Sequence, residues 1–172
     1  MRAIITKEEI PPTEDIMEEQ YWLGWLAGII DGEGGLGIAK HNHPAPRSRN
    51  PSYTAYLYID STSKELIETV KRIIGGGKVY LVKRKNLGML EGKVKNPKPV
   101  YRYYTRSHNL LRKILPKLRL VVKEKQRQLI LKMLSLMYYH GPSTNPNLEE
   151  LEKIYQEVKS CSSKSWNRNT GN

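Results

Sequence analysis

The sequence predicts an α+β fold, an αββαββα unit with a four-stranded antiparallel sheet and its helices on one face. Apolar and polar residues alternate from Tyr53 to Asp60, as is typical of a half-buried strand. Apolar residues between Leu66 and Ile74 recur at helical spacing, and three glycines follow at once. The strand-like segments come in consecutive pairs, which favours two antiparallel hairpins.

Each element has its own sequence signal. Thr13 is a suitable N-cap before the acidic first turn of a first helix, Ser63 caps a second, and Gly75 to Gly77 end that helix. The predicted elements, in order, are an arm 1–12, a helix 14–31, strands 35–41 and 53–60, a helix 64–74, strands 78–85 and 100–106, and helices 109–115, 123–138 and 148–158. Residues 13–159 are expected to form a single domain, with 160–172 as a mobile polar tail.

The chain is strongly basic, and its charged residues are unevenly distributed along the sequence. The 172 residues carry 29 Lys and Arg against 17 Asp and Glu, a formal net charge of +12. Residues 64–127 hold 19 basic and 4 acidic side chains, whereas residues 1–33 hold 2 basic and 8 acidic ones. A basic block of this size favours a polyanionic partner, most simply nucleic acid.

Cysteine content and hydropathy bear on location. A single cysteine, Cys161, excludes a disulfide framework within the chain and favours a reducing compartment. The longest apolar run, Tyr21 to Ile30, is too short to cross a bilayer, and no secretory signal opens the chain. We therefore expect no membrane partner and an intracellular location, in the cytoplasm and nucleoid or in an organelle.

The segment from Gly24 to Gly34 combines two unfavourable features. Gly24, Gly28 and Gly32 line one stripe of the first helix, where each glycine costs about 1 kcal/mol relative to alanine. Asp31 and Glu33 follow at the helix C-terminus, where the macrodipole disfavours negative charge. Two such helices packed face to face, with carboxylates at their base holding a divalent cation, would explain both features.

Residues Leu26 to Gly34, LAGIIDGEG, resemble the signature of the LAGLIDADG homing endonucleases at seven of nine positions when Glu33 is accepted as the acid. One copy is present, as in the single-motif, homodimeric branch. The resemblance implies the family fold, a dimer interface at Gly24, Gly28 and Gly32, and double-stranded DNA as partner. It also implies Mg²⁺ held by the Glu33 carboxylate and the Gly32 carbonyl, with Mn²⁺ or Ca²⁺ as substitutes in binding.

The resemblance further implies a basic residue at the start of a later helix. Lys123 is the favoured candidate for polarising water or offsetting phosphate charge, Lys125 is the alternative, and either can be an ordinary surface lysine. A water-positioning residue is expected at the end of the second strand, where relatives often have glutamine. This chain has Asp60-Ser61-Thr62 there, and strand alternation selects Ser61.

A twisted sheet with a polar, basic face can lie along the major groove, where base edges carry a full donor and acceptor code. The candidate DNA-binding residues are His41, His43, Arg47, Arg49, Thr54, Tyr56, Tyr58, Lys78, Tyr80, Arg84, Arg102, Tyr104, Arg106 and Lys125. A register shift of one residue would exchange the faces of strands three and four. For the tyrosines, packing on the sheet is as good an interpretation as base contact.

Two shorter motifs are rejected. Gly32 to Gly37, GEGGLG, fits the dinucleotide-binding fingerprint, which needs a preceding strand and a following helix, whereas here a helix precedes and a strand follows. The tripeptide His41-Asn42-His43 is not the dispersed residue set of HNH nucleases.

The sequence therefore predicts a homodimeric, magnesium-dependent, site-specific double-strand DNA endonuclease. Its substrate would be a long pseudo-palindromic target in intron homing. The alternative is a non-cleaving nucleic-acid binder on the same fold, such as an RNA maturase or regulator. Glu33 favours the nuclease, because a pure binder does not need an acid that faces phosphate.

Overall fold

The computed structural model describes residues 14–42, 50–82, 98–137 and 147–166, with side chains up to Cys161. The elements are α1 Glu14–Glu33, β1 Gly34–His41, β2 Ser52–Ser61, α2 Lys64–Ile74, β3 Lys78–Leu81, β4 Tyr101–Thr105, α3 His108–Ile114, a 3₁₀ turn Leu115–Lys117, α4 Glu124–Leu136 and α5 Leu148–Trp166. The predicted order of elements and the α+β class are confirmed.

Two helices end later than predicted. α1 continues to Glu33, so both motif acids belong to its last turn and β1 begins at once with Gly34. A Cβ atom on Gly34 would lie 2.8 Å from the carbonyl oxygen of Ile30, so only glycine fits this abrupt change from helix to strand. α5 extends to Trp166 instead of Val158, because no glycine or proline interrupts it, and it includes the first residues of the expected tail.

The four strands form one antiparallel sheet in the order β1-β2-β4-β3. In β2 the side chains of Tyr53, Ala55, Leu57 and Ile59 are at most 1% exposed, as the alternation predicts. The third strand was predicted to reach Lys85. The described strand ends at Leu81, and residues 83–85 lie outside the described part of the chain.

The core lies between one sheet face and the helices. Each of α1, α2, α4 and α5 contributes fully buried aliphatic residues to a cluster that also contains the inward side chains of β2. These helix residues include Leu26, Ile30, Ile67, Val70, Ile130, Met133, Leu151 and Ile154. Among the described residues the helices cover only this face, and the opposite face is called the open face.

The ends of α2 are capped as expected. The Ser63 hydroxyl accepts a hydrogen bond from the Leu66 N–H at 3.2 Å, and Gly75 ends the helix at a φ of 79°. Gly77 has a φ of 93° and packs against the buried Tyr103 ring, so it cannot carry a side chain. Within the described ranges, no helix combines the length and apolar character needed to span a membrane.

Candidate active site and nucleic-acid interface

Glu33 lies exposed at the last position of α1, directly after the exposed Gly32. The sheet register pairs Gly34 with Ile59, so the end of α1 lies beside the end of β2 that carries Asp60 and Ser61. The structure thus brings Gly32 and Glu33, the predicted metal-binding residues, and Ser61, the predicted water-positioning residue, to one end of the sheet.

Asp31 binds the chain that precedes α4. Its carboxylate accepts hydrogen bonds from the backbone N–H groups of Val121 at 2.6 Å, Val122 at 3.2 Å and Lys123 at 3.0 Å. These donors lie at and before the helix N-terminus, where intrahelical partners are lacking. Asp31 thus connects the last turn of α1 to the beginning of α4.

Lys123 makes the reciprocal contact. Its Nζ donates to the carbonyl oxygen of Ile30 at 2.9 Å and to that of Asp31, two carbonyls in the last turn of α1. A cation here is favourable for the macrodipole and offsets the cost of the motif acids. Burial lowers the pKa of Lys123, while the charges of Asp31 and Glu33 act in the opposite direction. The alternative, Lys125, is exposed in the first turn of α4.

Ser61 takes part in the turn between β2 and α2. Its hydroxyl oxygen accepts a hydrogen bond from the Ser63 N–H at 3.1 Å, and a serine hydroxyl can also donate one. The water-positioning role of Ser61 stays a prediction.

The open sheet face carries the predicted DNA-binding residues of all four strands. Tyr103 and Thr105 are buried, so Arg102 and Tyr104 lie on the open face, and the predicted register of strand four is confirmed. Lys78 and Tyr80 of β3 also lie on the open face, because they pair with Tyr104 and Arg102, respectively. The open-face members of the predicted set are His41, Thr54, Tyr56, Tyr58, Lys78, Tyr80, Arg102 and Tyr104, with the exposed Arg106 directly after β4. His43, Arg47, Arg49 and Arg84 lie outside the described residues.

Two tyrosines pack on the sheet itself. Tyr56 lies over Gly37 and Tyr58 over Gly35, where an added Cβ would be 2.3 Å from the respective tyrosine side chain. The two rings stack with centroids 6.2 Å apart, and burial is the main cause that raises the pKa of Tyr56. This geometry favours the packing interpretation for both tyrosines. It also explains Gly35 and Gly37 of the fingerprint-like segment as space for the two rings.

Arg102 and Asp60 form a bidentate ion pair on the same face, which the pattern of neither strand alone predicts. Arg102 Nε donates to Asp60 Oδ1 and Nη2 to Oδ2, both at 2.6 Å. The guanidinium also lies 4.8 Å from the centre of the Tyr58 ring. Asp60 was identified as part of this face but not as a partner. Knowledge that β2 pairs with β4 would have predicted the ion pair, because Asp60 and Arg102 are register partners.

Comparison with solved structures places this architecture among known folds. A crystal structure of the homing endonuclease I-CvuI in complex with its target superposes with a TM-score of 0.65 over 84% of both chains, at 17% identity. The archaeal intron-encoded homing endonuclease I-Vdi141I, complexed with DNA, gives 0.64 over 86% of both chains at 18% identity. The LAGLIDADG homing endonuclease I-LtrWI, bound to target DNA, gives 0.60 at 19% identity, over 77% of this chain and 42% of that one.

The chain has the fold of the LAGLIDADG homing endonucleases. The predicted fold is therefore confirmed. No family model and no curated protein matches the sequence, so this likeness rests on the structures.

The homing endonuclease fold leaves the glycine stripe of α1 uncovered. Apart from the adjoining residues and the backbone of α1 itself, no atom of the described residues lies within 4 Å of a Cβ built on Gly24, Gly28 or Gly32. The stripe continues toward the N-terminus with Tyr21 and Met17, which are 64% and 58% exposed. Self-association through this stripe stays a prediction.

The site can hold a divalent cation only if a second subunit, water or phosphate supplies further ligands. Within the described residues, no group of three or more His, Cys, Asp or Glu side chains converges. Mg²⁺ commonly uses one or two protein carboxylates and completes its coordination with water and phosphate. The exposed Glu33 carboxylate is compatible with that arrangement.

Proposed function

We propose that the protein is a homodimeric, divalent-metal-dependent, site-specific double-strand DNA endonuclease. It would hydrolyse phosphodiester bonds in a long pseudo-palindromic target, as in intron homing. The observation that carries the proposal is the junction of α1 with α4, where Lys123 binds the Ile30 and Asp31 carbonyls in the helix end that carries the exposed Glu33, at one end of a polar sheet face. This junction puts an acid, a cation and a candidate DNA-binding surface within one region.

Three features support the dimer. The chain carries one motif, the glycine stripe is uncovered, and exposed Tyr21 and Met17 extend that stripe. The chain corresponds to 84% of I-CvuI but only 42% of I-LtrWI, so I-LtrWI is about twice as long as the present unit. Two copies joined along α1 would bring two Glu33 residues together, one for each DNA strand.

DNA is the partner that the charge and the sheet face favour. The open face carries Lys78, Arg102 and Arg106 among hydroxyl-bearing side chains, in a chain of net charge +12. Cationic side chains provide affinity for phosphates, and a sheet face in the major groove provides sequence discrimination. The I-CvuI and I-Vdi141I structures named above are themselves complexes with DNA.

The residues divide the chemistry among them. Glu33 and the carbonyl of Gly32 would hold Mg²⁺, which when bound stabilises the charge developing on the phosphate. Lys123 adds positive charge beside Glu33 and offsets phosphate charge, while its contacts with the α1 carbonyls fix its position. Ser61, at the adjacent strand end, would orient water through its hydroxyl group. The I-CvuI structures in the presence of 2 mM Ca and of 2 mM Mg are consistent with divalent-metal use.

The test is a cleavage assay on a plasmid library carrying randomised inserts, with and without Mg²⁺. We expect linear products that depend on Mg²⁺, and Glu33→Gln should abolish them while DNA binding persists. Glu68→Gln, the same change at an exposed position of α2, is the matched control and should cut like the wild type. Sequence-specific binding without cleavage by the wild type would instead support the alternative of a non-cleaving binder. Native-rate cleavage by Glu33→Gln would show that the acid lies elsewhere.

A further inference from the structure

The side chain of Arg102 is held in one orientation on the open sheet face. Its Nε and Nη2 atoms are bound by the two oxygens of Asp60, and the plane of the group lies near the Tyr58 ring. Tyr80 is the register partner of Arg102 on β3 and lies on the same face. The hydrogen bonds with Asp60 are the main cause that raises the pKa of Arg102, whose guanidinium is charged at any physiological pH.

The pair leaves part of the guanidinium free for a ligand. A guanidinium has five N–H donors in a fixed planar arrangement, and the Asp60 carboxylate takes one on Nε and one on Nη2. One N–H of Nη1 and the second N–H of Nη2 point together from another edge of the plane, not the edge that Asp60 binds. The Arg102 side chain is 32% exposed and lies on the open face.

We infer that Arg102, oriented by Asp60, recognises a guanine in the major groove of the target. Guanine presents the O6 and N7 acceptors side by side, and two N–H groups of one arginine match them. The inference rests on the proposed function and names a specificity-determining pair within it.

The position of the pair predicts where the guanine lies. Asp60 follows Ile59, which pairs with Gly34, so the pair lies at the Glu33 end of the sheet. The recognised base pair should therefore lie in the inner part of each half-site, close to the cleaved bonds. In a homodimer the same contact occurs twice, once in each half-site.

The ion pair distinguishes base recognition from simple attraction to phosphate. An arginine that serves only to attract phosphate gains nothing from an adjacent carboxylate, because the pair has no net charge and the acid repels phosphate. A fixed orientation does help base recognition, since less side-chain entropy is lost on binding. Arg106 offers the contrast, because its described contacts are with the Tyr104 side chain, 5.3 Å from its ring centre, and not with an acid.

The experiment selects bound sequences from a randomised duplex library, using the full-length wild type with Ca²⁺ in place of Mg²⁺ to prevent cutting. We expect a two-fold symmetric consensus with a guanine in the inner part of each half-site. Arg102→Ala should reduce the preference for that guanine by a factor of about 5 to 150, the range expected for one bidentate contact. The preferences at all other positions should stay as they are in the wild type.

Asp60→Asn separates recognition from a purely structural pair. It adds one net positive charge, so affinity for random DNA should rise, whereas discrimination of the guanine should fall. A merely structural role predicts no change at a single base position. Arg106→Ala is the control, and its consensus should keep the guanine. Should Arg102→Ala fold poorly, Arg102→Lys keeps the charge but lacks the planar pair of donors, and it should also lose the preference.

An unchanged consensus for folded Arg102→Ala or Arg102→Lys would overturn the inference and leave the proposed function intact. If the wild type itself selects no sequence from the library, the proposed function fails, and the inference fails with it.

Discussion

The reciprocal contact between α1 and α4 makes Asp31 the most informative position for substitution. In Asp31→Asn the side chain keeps its size but loses its charge and one of its two acceptor oxygens. Oδ2 accepts from Val121 and Val122, and Oδ1 accepts from Lys123. An amide NH₂ group facing either set of backbone N–H groups leaves at least one of them without an acceptor.

The magnitude follows from these bonds. A hydrogen bond to a charged group contributes about 1.5–3 kcal/mol, and loss of a helix N-cap side chain costs about 1 kcal/mol. Asp31 is half-exposed and water can replace part of what is lost, so we expect a decrease of about 1–2 kcal/mol in the free energy of unfolding. For a domain of this size, that lowers Tm by about 2–8 °C.

Thermal unfolding at one fixed protein concentration tests the expectation. Asp15→Asn, the same change in the exposed first turn of α1, should cost no more than about 1 kcal/mol, because it affects only the helix dipole. Cleavage should also slow in Asp31→Asn, since the Lys123 backbone loses its anchor, while DNA affinity changes little. A Tm equal to that of the wild type would refute the reasoning that Asp31 holds the two helices together.

Four further predictions concern the interface, the partner, the chemistry and the C-terminal helix. Gly28→Leu should convert the dimer to monomers, because the helices could no longer approach, and sedimentation velocity would contradict this if the dimer persists. The logarithm of the DNA binding constant should fall with the logarithm of salt concentration by about 0.9 for each neutralised phosphate, and a slope near zero would exclude DNA as the partner. Lys123→Met should slow cleavage by less than Glu33→Gln does, which single-turnover assays can rank, because one stabilising charge is lost while the acid remains. Hydrogen bonds from Lys40, Tyr53 and Gln156 lower the pKa of Glu152 from 4.5 to about 2. The stability that they contribute above pH 4.5 should therefore decline as the pH falls toward 2. Glu152→Gln should weaken that decline in urea unfolding, and an unchanged pH dependence would contradict the prediction.

The sequence was sufficient for the order of the elements and for the two faces of β2. Period-two alternation in β2 gives the buried set directly, because this signal depends only on neighbouring residues of one strand. The faces of β3 and β4 were open to a shift of one residue, and the burial of Tyr103 in the structure puts Arg102 and Tyr104 on the opposite face. Helix ends were less predictable, because α1 continues through Gly32, a residue type that disfavours a helix, to Glu33.

The contacts that shape the site are not local. Asp60 and Arg102 are 42 residues apart, and Asp31 and Lys123 are 92 residues apart. Each side chain carries an individual signal, an acid at a strand end or a lysine before a helix. Their pairing depends on which strands are neighbours and on where α4 begins, and neither follows from the pattern of a single segment. Sequence therefore identified Glu33 and Lys123 as candidates, but it did not show that Lys123 caps the helix that presents Glu33.

That capping has a consequence for how the site can be used. The Lys123 ammonium is already bound to two carbonyls of α1, so it would need no rearrangement before it meets a phosphate. Its position depends on the same helix end that carries Glu33. Burial lowers its pKa, but the adjacent acids favour the charged form. A substrate phosphate would favour that form further. The protein thus links the acid, the cation and the junction of two helices, so a change in any of them should affect both stability and the geometry of the site.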